Sequence, residues 1–131
     1  MKQKANKSLE AAQSLINTRE TYGYNSSVHC SYYAVLQYMK YILAKTDRRP
    51  LAYNEQNSSN QSSHDFVIEE IVNRIKKSTD GRDFAQQVRR LKKQRVDADY
   101  TDRNFTEDES LGCKENAVGA ISKLKRYFGD L

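Results

Sequence analysis

The sequence has few of the residues that interrupt a helix or cross-link a chain. It contains one proline, five glycines, two cysteines and no tryptophan. Two cysteines cannot build a disulfide framework, and so few helix breakers allow long helices to run uninterrupted. We therefore expect a chain held together by a hydrophobic core, with Cys30 and Cys113 reduced. The alternative is a single disulfide between them.

Long apolar runs are also missing. No segment approaches the roughly 18 apolar residues of a membrane span, and the first 15 residues lack the apolar core of a signal peptide. We expect a cytoplasmic protein that does not contact a membrane. With 30% charged and 10% aromatic residues, the composition is typical of a globular protein, and the length predicts one domain over 1–131.

Apolar residues recur at helical spacing nearly everywhere, and no segment alternates as a strand does. The pattern predicts five amphipathic helices and therefore an all-α, antiparallel bundle of four or five helices. The predicted helices cover about 4–20, about 26–45, a segment after Ser62 or Ser63, a segment carrying Phe84 to Arg95, and a segment after the capping box Thr106–Glu109. The last of them carries Leu111, Val118, Ile121, Leu124 and Phe128.

Three segments should separate these helices. "TYGYNSS" at 21–27 should break the chain, with Gly23 ending one helix and Asn25 or Ser26 capping the next. The polar segment at about 46–62 should be one long, mobile loop, because it is rich in Asn and Ser and holds the proline. "STDGRD" at 78–83 should be a turn, because it contains Asp-Gly.

The second predicted helix is apolar on two sides. One side is a core stripe, and the other carries five residues: Cys30, Tyr33, Ala34, Gln37 and Tyr41. A helix apolar on two sides is buried on two sides, so it is either the central helix of the bundle or has a face that contacts another chain. Because tyrosines are favoured at interfaces, we predict a homodimer with these five residues as the candidate dimer face. Packing within the chain is the alternative.

The charge is distributed unevenly. The net charge is +5, and a basic segment at 82–95 directly precedes an acidic segment at 97–109. Such asymmetry favours a charged partner. The candidate contacts with RNA or an acidic partner are Arg89, Arg90, Lys92 and Lys93. The alternative is a solvated helix face, since the nearby acids and the lack of interleaved aromatic residues do not fit a simple phosphate track.

Two motifs resemble those of a known family. "SYYAVLQYMKYIL" resembles the second-helix signature of HEPN domains, in which Tyr-Tyr-Ala (Tyr32, Tyr33 and Ala34 here) follows a short polar lead. "RVDADY" resembles the element Arg-x-x-Ala-Asp-Tyr that follows the fourth helix in a branch of small stand-alone HEPN proteins. That element places Arg95, Asp99 and Tyr100 at family-motif positions. The resemblance extends from about Lys7 to Phe128.

The resemblance implies a helical bundle that is usually dimeric. Many HEPN domains are metal-independent RNases, often toxins neutralised by a nucleotidyltransferase, and their catalytic element is an arginine followed by four to six residues and a histidine. This sequence departs from that element, because Arg19 lies ten positions before His29 and Arg49 lies fifteen before His64. The branch often has an arginine two positions before Tyr-Tyr-Ala, where this chain has Cys30.

The residues that suit chemistry have plainer interpretations. His29 and His64 are weak candidates for acid–base catalysis, and we expect one to be a packed histidine and the other a helix-start residue. A zinc site from the histidines and cysteines fails on spacing. Arg95, Asp99 and Tyr100 are expected to lock a helix end through an Arg95–Asp99 pair, with a phosphate-binding or acid-binding groove as the alternative.

Three functional hypotheses follow. The first is a non-catalytic, dimeric HEPN-like binding module that needs no metal or cofactor. Its candidate partners are a nucleotidyltransferase-type protein, in a toxin–antitoxin or nucleotidyltransferase-associated system, and RNA. The second is a metal-independent RNase with a rearranged site that uses His29 or His64. The third is a structural or regulatory bundle with no role in RNA binding.

Overall fold

A computed structural model describes all 131 residues as five α-helices with no β-strand. The helices are α1 (Lys2–Asn17), α2 (Thr21–Lys45), α3 (Ser63–Arg74), α4 (Ser78–Tyr100) and α5 (Glu107–Phe128). A short 3₁₀ turn lies at Tyr53–Glu55. The prediction of an all-α bundle is confirmed. No helix is long and apolar enough to cross a membrane.

Side-chain contacts show that α1 and α5 are antiparallel. Lys2 at the start of α1 lies 3.5 Å from Asp130, just beyond the end of α5. Lys114, in the first half of α5, donates to Gln13 near the end of α1 at 2.6 Å. The helices therefore run in opposite directions along each other, as short connections favour.

Helix α2 is the centre of the bundle, because it contacts each of the other four helices. Its predicted core stripe is buried: Val28, Tyr32, Val35, Leu36, Met39, Ile42 and Leu43. Its second apolar side packs mainly on α1, where the Gln37 side-chain amide lies 2.8 Å from Ser8 Oγ. Burial on two sides explains why this helix has almost no charged residues.

The predicted break at 21–27 is wrong, because this segment forms the first turns of α2. Gly23 does not end a helix; it lies against the end of α1, where an added Cβ would be 2.3 Å from the Leu15 carbonyl oxygen. Asn25 does not cap α2. Its side chain donates to the Arg103 carbonyl at 3.0 Å and accepts from the Phe105 amide at 2.8 Å, which ties α2 to the α4–α5 connection.

The predicted turn at 78–83 is also wrong, because α4 begins at Ser78 and the chain turns before it, at 75–77. Gly81 is buried, and a Cβ there would lie 3.3 Å from the Val72 carbonyl oxygen, so the glycine allows α3 and α4 to approach closely. "RVDADY" does not follow the fourth helix but forms its last six residues.

The predicted long connection and the two predicted helix caps agree with the structure. Residues 46–62 connect α2 and α3, Ser62 Oγ accepts from the Asp65 amide at 3.2 Å, and Thr106 forms the predicted capping box with Glu109. The long loop is fastened to α2 where the buried Gln56 side chain donates to the Lys40 carbonyl at 3.0 Å. The two cysteines form no disulfide. Val118 is 43% exposed and so lies outside the apolar face predicted for α5.

Candidate functional site

Five rings from three helices meet on one side of α2. We call them the aromatic cluster: His29, Tyr32 and Tyr33 on α2, His64 on α3 and Tyr100 on α4. His29 stacks on Tyr33 with ring centroids 4.5 Å apart, and His64 meets Tyr33 edge-on at 5.6 Å. Both histidines therefore contact the same tyrosine, although 35 positions separate them in the sequence.

Arg95 lies beneath the aromatic cluster, and its side chain is only 8% exposed. Its guanidinium carbon is 5.2 Å, 5.5 Å and 5.9 Å from the ring centroids of Tyr32, Tyr33 and Tyr100. These distances are typical of cation–π contacts. Arg95 Nη1 lies 3.5 Å from Asp99 Oδ2, the predicted i, i+4 pair, while Arg95 Nε has no partner. Arg95 and Asp99 of "RVDADY" thus belong to one packed unit, and Tyr100 lies at its exposed edge.

Asp99 also holds His29. His29 Nδ1 lies 2.7 Å from Asp99 Oδ2, and the His29 side chain is 46% exposed. One carboxylate oxygen therefore contacts both a buried guanidinium and a surface imidazole. When Nδ1 carries a proton it donates to this carboxylate, and Nε2 of the neutral ring is then an acceptor.

His64 is held by Tyr32, whose hydroxyl lies 3.0 Å from His64 Nδ1. Burial lowers the pKa of His64 from its ordinary value, and the charges of Arg95 and Lys92 lower it further. Burial likewise raises the pKa of Tyr32. At neutral pH the pair is therefore an uncharged phenol and an uncharged imidazole, with the phenol as donor when Nδ1 carries no proton.

Two of the four predicted basic contacts lie near acidic side chains of α3. Lys92 Nζ lies 2.7 Å from Asp65 Oδ1, and this hydrogen bond lowers the pKa of Asp65. Arg89 lies 3.9 Å from Glu69, whereas Arg90 and Lys93 form no ion pair. Lys92 thus fastens α4 to the start of α3, beside His64.

The five residues of the predicted dimer face have different surroundings. Ala34 is fully buried by the chain itself, so it lies outside any accessible face. Tyr41 donates to the Leu131 carbonyl at 2.8 Å, and Gln37 faces α1. Cys30 is partly exposed, and burial followed by the charge of Asp99 raises the pKa of its thiol. Tyr33 is the one member that joins the aromatic cluster.

The convergence of the two histidines was missed at the sequence level. The spacing of His29 and Tyr33 at i, i+4 was visible, but nothing local relates them to the start of α3. The double use of Asp99 was missed for the same reason, since 70 positions separate it from His29. No group of three or more His, Cys, Asp or Glu side chains lies close enough together to hold a metal ion.

The fold and this cluster define a helical-bundle domain built around a tyrosine-rich central helix and a buried arginine. A family model described as "HEPN domain" matches residues 1–127 of the 131 residues. The chain therefore belongs to the HEPN domain family, which confirms the resemblance of its motifs. Neither a curated protein nor a solved structure matches the chain significantly.

Proposed function

We propose that this chain is a non-catalytic HEPN binding module that acts as a homodimer and contacts a protein of the nucleotidyltransferase type in the cytoplasm. The observation that carries the proposal is the state of Arg95. It packs against the ring of Tyr33, which both histidines contact, but its side chain is 92% buried and held by Asp99 and three tyrosine rings. RNA cleavage requires a cation that can reach the negative charge developing on the phosphate. The Arg95 guanidinium is instead buried against Asp99 and the tyrosine rings.

The outer side of the aromatic cluster suits a protein partner. Tyr100 is 75% exposed and Val96, one turn before it, is 37% exposed. Together with the half-exposed His29 they form a surface of rings and one aliphatic side chain. Aromatic residues are enriched at protein interfaces, and tyrosine provides contact area at a low cost in side-chain entropy.

Sedimentation equilibrium at micromolar concentration tests the dimer. We expect a dimer for the wild-type chain and at least tenfold weaker association for Tyr100→Ser. Tyr53→Ser is the matched control, because Tyr53 is 44% exposed but lies in the long loop. A wild-type monomer contradicts the dimer. Co-purification with a nucleotidyltransferase encoded beside this chain tests the second part, and the absence of such a complex contradicts it.

A second candidate function is a metal-independent RNase with a rearranged site. The observation that favours it is the Asp99–His29 pair, because a carboxylate on Nδ1 orients an imidazole and leaves Nε2 free to move a proton. His64, with its lowered pKa, is a second neutral imidazole beside the same tyrosine.

One gel separates the two functions. End-labelled structured RNA is incubated with the protein at low salt in EDTA and read for both cleavage and mobility shift. We expect intact RNA. Cleavage that is lost in His29→Ala or His64→Ala, with both variants still folded by circular dichroism, overturns the non-catalytic proposal. A shift without cleavage identifies RNA as an additional ligand, and its affinity should then fall steeply with salt.

A further inference from the structure

A concave site lies at the opposite ends of the helices that form the aromatic cluster. The groove is formed where α2, α3 and α5 end and α4 is about to begin, and its volume is about 770 Å³. Its lining includes four cationic side chains and one acidic side chain: Arg48, Arg49, Arg74, Lys76 and Asp47. We call it the basic groove. It shares no residue with the aromatic cluster.

Arg74 organises the basic groove from below. Its side chain is 8% exposed, Nη1 donates to the Arg48 carbonyl at 2.6 Å, and Nη2 donates to the Arg49 carbonyl at 3.0 Å. Its one carboxylate neighbour, Glu70, is 3.4 Å away. The two terminal nitrogens of this buried guanidinium therefore hold the backbone of the segment that carries Arg48 and Arg49.

That segment is held in an unfavourable conformation. Arg49 has φ 47, which is rare for a residue other than glycine and runs against the extended conformation preferred before a proline, here Pro50. Such a conformation persists only where the surroundings impose it. Arg74 holds it on one side, and the Leu51 amide donates to the Leu43 carbonyl at 2.8 Å on the other.

The result is a fixed backbone that presents cations without partners. Arg48, Arg49 and Lys76 are exposed and form no ion pair within the chain. The charge of Arg74 is offset by Glu70, so the groove's own excess is three unpaired cations against the one acidic side chain of Asp47. Guanidinium groups bind phosphate by paired hydrogen bonds, so an anion here would meet donors already in place.

The floor of the basic groove is apolar and partly aromatic. Ile75 is 7% exposed, and Tyr127 and Phe128 are partly buried. A free inorganic anion would leave this floor unused, whereas a flat apolar group attached to the anion would cover it. The volume is in the range of pockets for small organic ligands.

We propose that the basic groove binds an organic phosphate, a phosphate monoester whose flat apolar part lies on Ile75, Tyr127 and Phe128 while Arg48, Arg49 and Lys76 hold the phosphate. This site goes beyond the function proposed above and does not depend on it. The same chemistry is offered by a free small molecule and by the 5′-phosphorylated end of an RNA strand.

Isothermal titration calorimetry with the full chain at low salt tests the site. Phenyl phosphate is the probe, with inorganic phosphate and phenol as its two halves. We expect phenyl phosphate to bind at least tenfold more tightly than either half and at least tenfold more weakly to Arg48→Ala/Arg49→Ala. The control Lys4→Ala/Lys7→Ala removes two exposed cations from α1, outside the groove, and should bind as the wild type does.

Several outcomes overturn the proposal. These are no binding of phenyl phosphate at millimolar concentration, equal binding by both double variants, or amide chemical-shift changes that avoid 46–49 and 73–76. Arg74→Lys keeps the charge but loses the two-pronged contact, so we expect severalfold weaker binding, and wild-type affinity would contradict the role given to Arg74. A 5′-phosphorylated oligonucleotide that binds more tightly than its 5′-hydroxyl counterpart identifies an RNA end as the source, whereas equal binding identifies a small molecule.

Discussion

Arg95 and Arg74 are built into the bundle in nearly the same way. Each has a side chain that is 8% exposed, each pairs with a carboxylate one helical turn away, at 3.5 Å and 3.4 Å, and each has an Nε without a partner. The difference lies in what covers the rest of the guanidinium. Tyrosine rings cover Arg95, whereas loop carbonyls accept from Arg74. The same local unit thus locks packed rings in one place and fixes a loop in the other.

The comparison also explains why the two regions suit different ligands. Arg95 is paired with Asp99 inside the chain, so the aromatic cluster exposes rings and a histidine but no unpaired arginine. The charge of Arg74 is likewise opposed by Glu70, but the neighbouring Arg48 and Arg49 are exposed and form no ion pair. A surface of the first kind fits a protein, and one of the second kind fits an anion.

The largest expected effect comes from removing the two arginines. Arg95→Ala should lower the free energy of unfolding by about 3 kcal/mol, because it breaks a largely buried ion pair and leaves a void beneath the tyrosine rings. Arg74→Ala should cost roughly 1–2 kcal/mol, because it mainly loses hydrogen bonds to an exposed loop. Urea denaturation of both variants measures the difference. Equal losses in the free energy of unfolding would show that the tyrosine rings around Arg95 do not contribute to stability.

The carboxylates should differ by less. Asp99→Asn should cost roughly 1–2 kcal/mol, because Asp99 contacts both Arg95 and His29, and charge-assisted hydrogen bonds are the stronger kind. Glu70→Gln should cost less than about 0.5 kcal/mol, because its contact with Arg74 is long and Glu70 is partly exposed. Thermal melts of the two variants give the ranking, and the reverse order would contradict the role of Asp99 as a shared acceptor.

The smallest effect is a pH dependence that belongs to the aromatic cluster alone. The pKa of His64 is lowered in the folded chain, so below about 6.5, its ordinary value, the unfolded chain binds more protons. The contribution of His64 to stability is therefore complete above that pH and decreases as the pH falls through it. We expect a flatter plot of melting temperature against pH between 5 and 8 for His64→Gln. An unchanged slope would contradict the burial of His64.

Arg74→Gln is the matched control for that measurement, because no histidine lines the basic groove. Its melting temperature should be lower throughout but should follow pH with the wild-type slope. A change of slope in this variant would show that the two regions are not independent.

Local features explain which parts of the fold could be predicted. The caps at Ser62 and Thr106 depend on contacts within three residues, and the core stripe of α2 depends only on helical periodicity. The predicted breaks were wrong because two glycines serve packing instead. Gly23 was predicted to end a helix and Gly81 to lie in a turn, but each lets two helices approach closely. Asn25 reads as a cap, but it bonds to the α4–α5 connection.

The candidate site divides in the same way. The Arg95–Asp99 pair was predictable, because residues four positions apart are neighbours on the surface of a helix. Three other contacts join segments that are distant in the sequence. They are the contact of Asp99 with His29, the contacts of both histidines with Tyr33, and the contacts of Arg74 with Arg48 and Arg49. Their register depends on how the helices pack, which a single sequence does not encode in any local pattern.

The sequence by itself therefore determined that the chain is helical, where most helices lie, which side of α2 is core, and that its motifs resemble those of the HEPN family. Those properties follow from periodicity, capping and composition, which act over a few residues. Only the tertiary structure decided that Arg95 is enclosed and that Arg48 and Arg49 of the basic groove form no ion pair. Whether a charged side chain has a partner of opposite charge depends on which side chains lie near it in space. That is determined by the packing of helices that are far apart in the sequence.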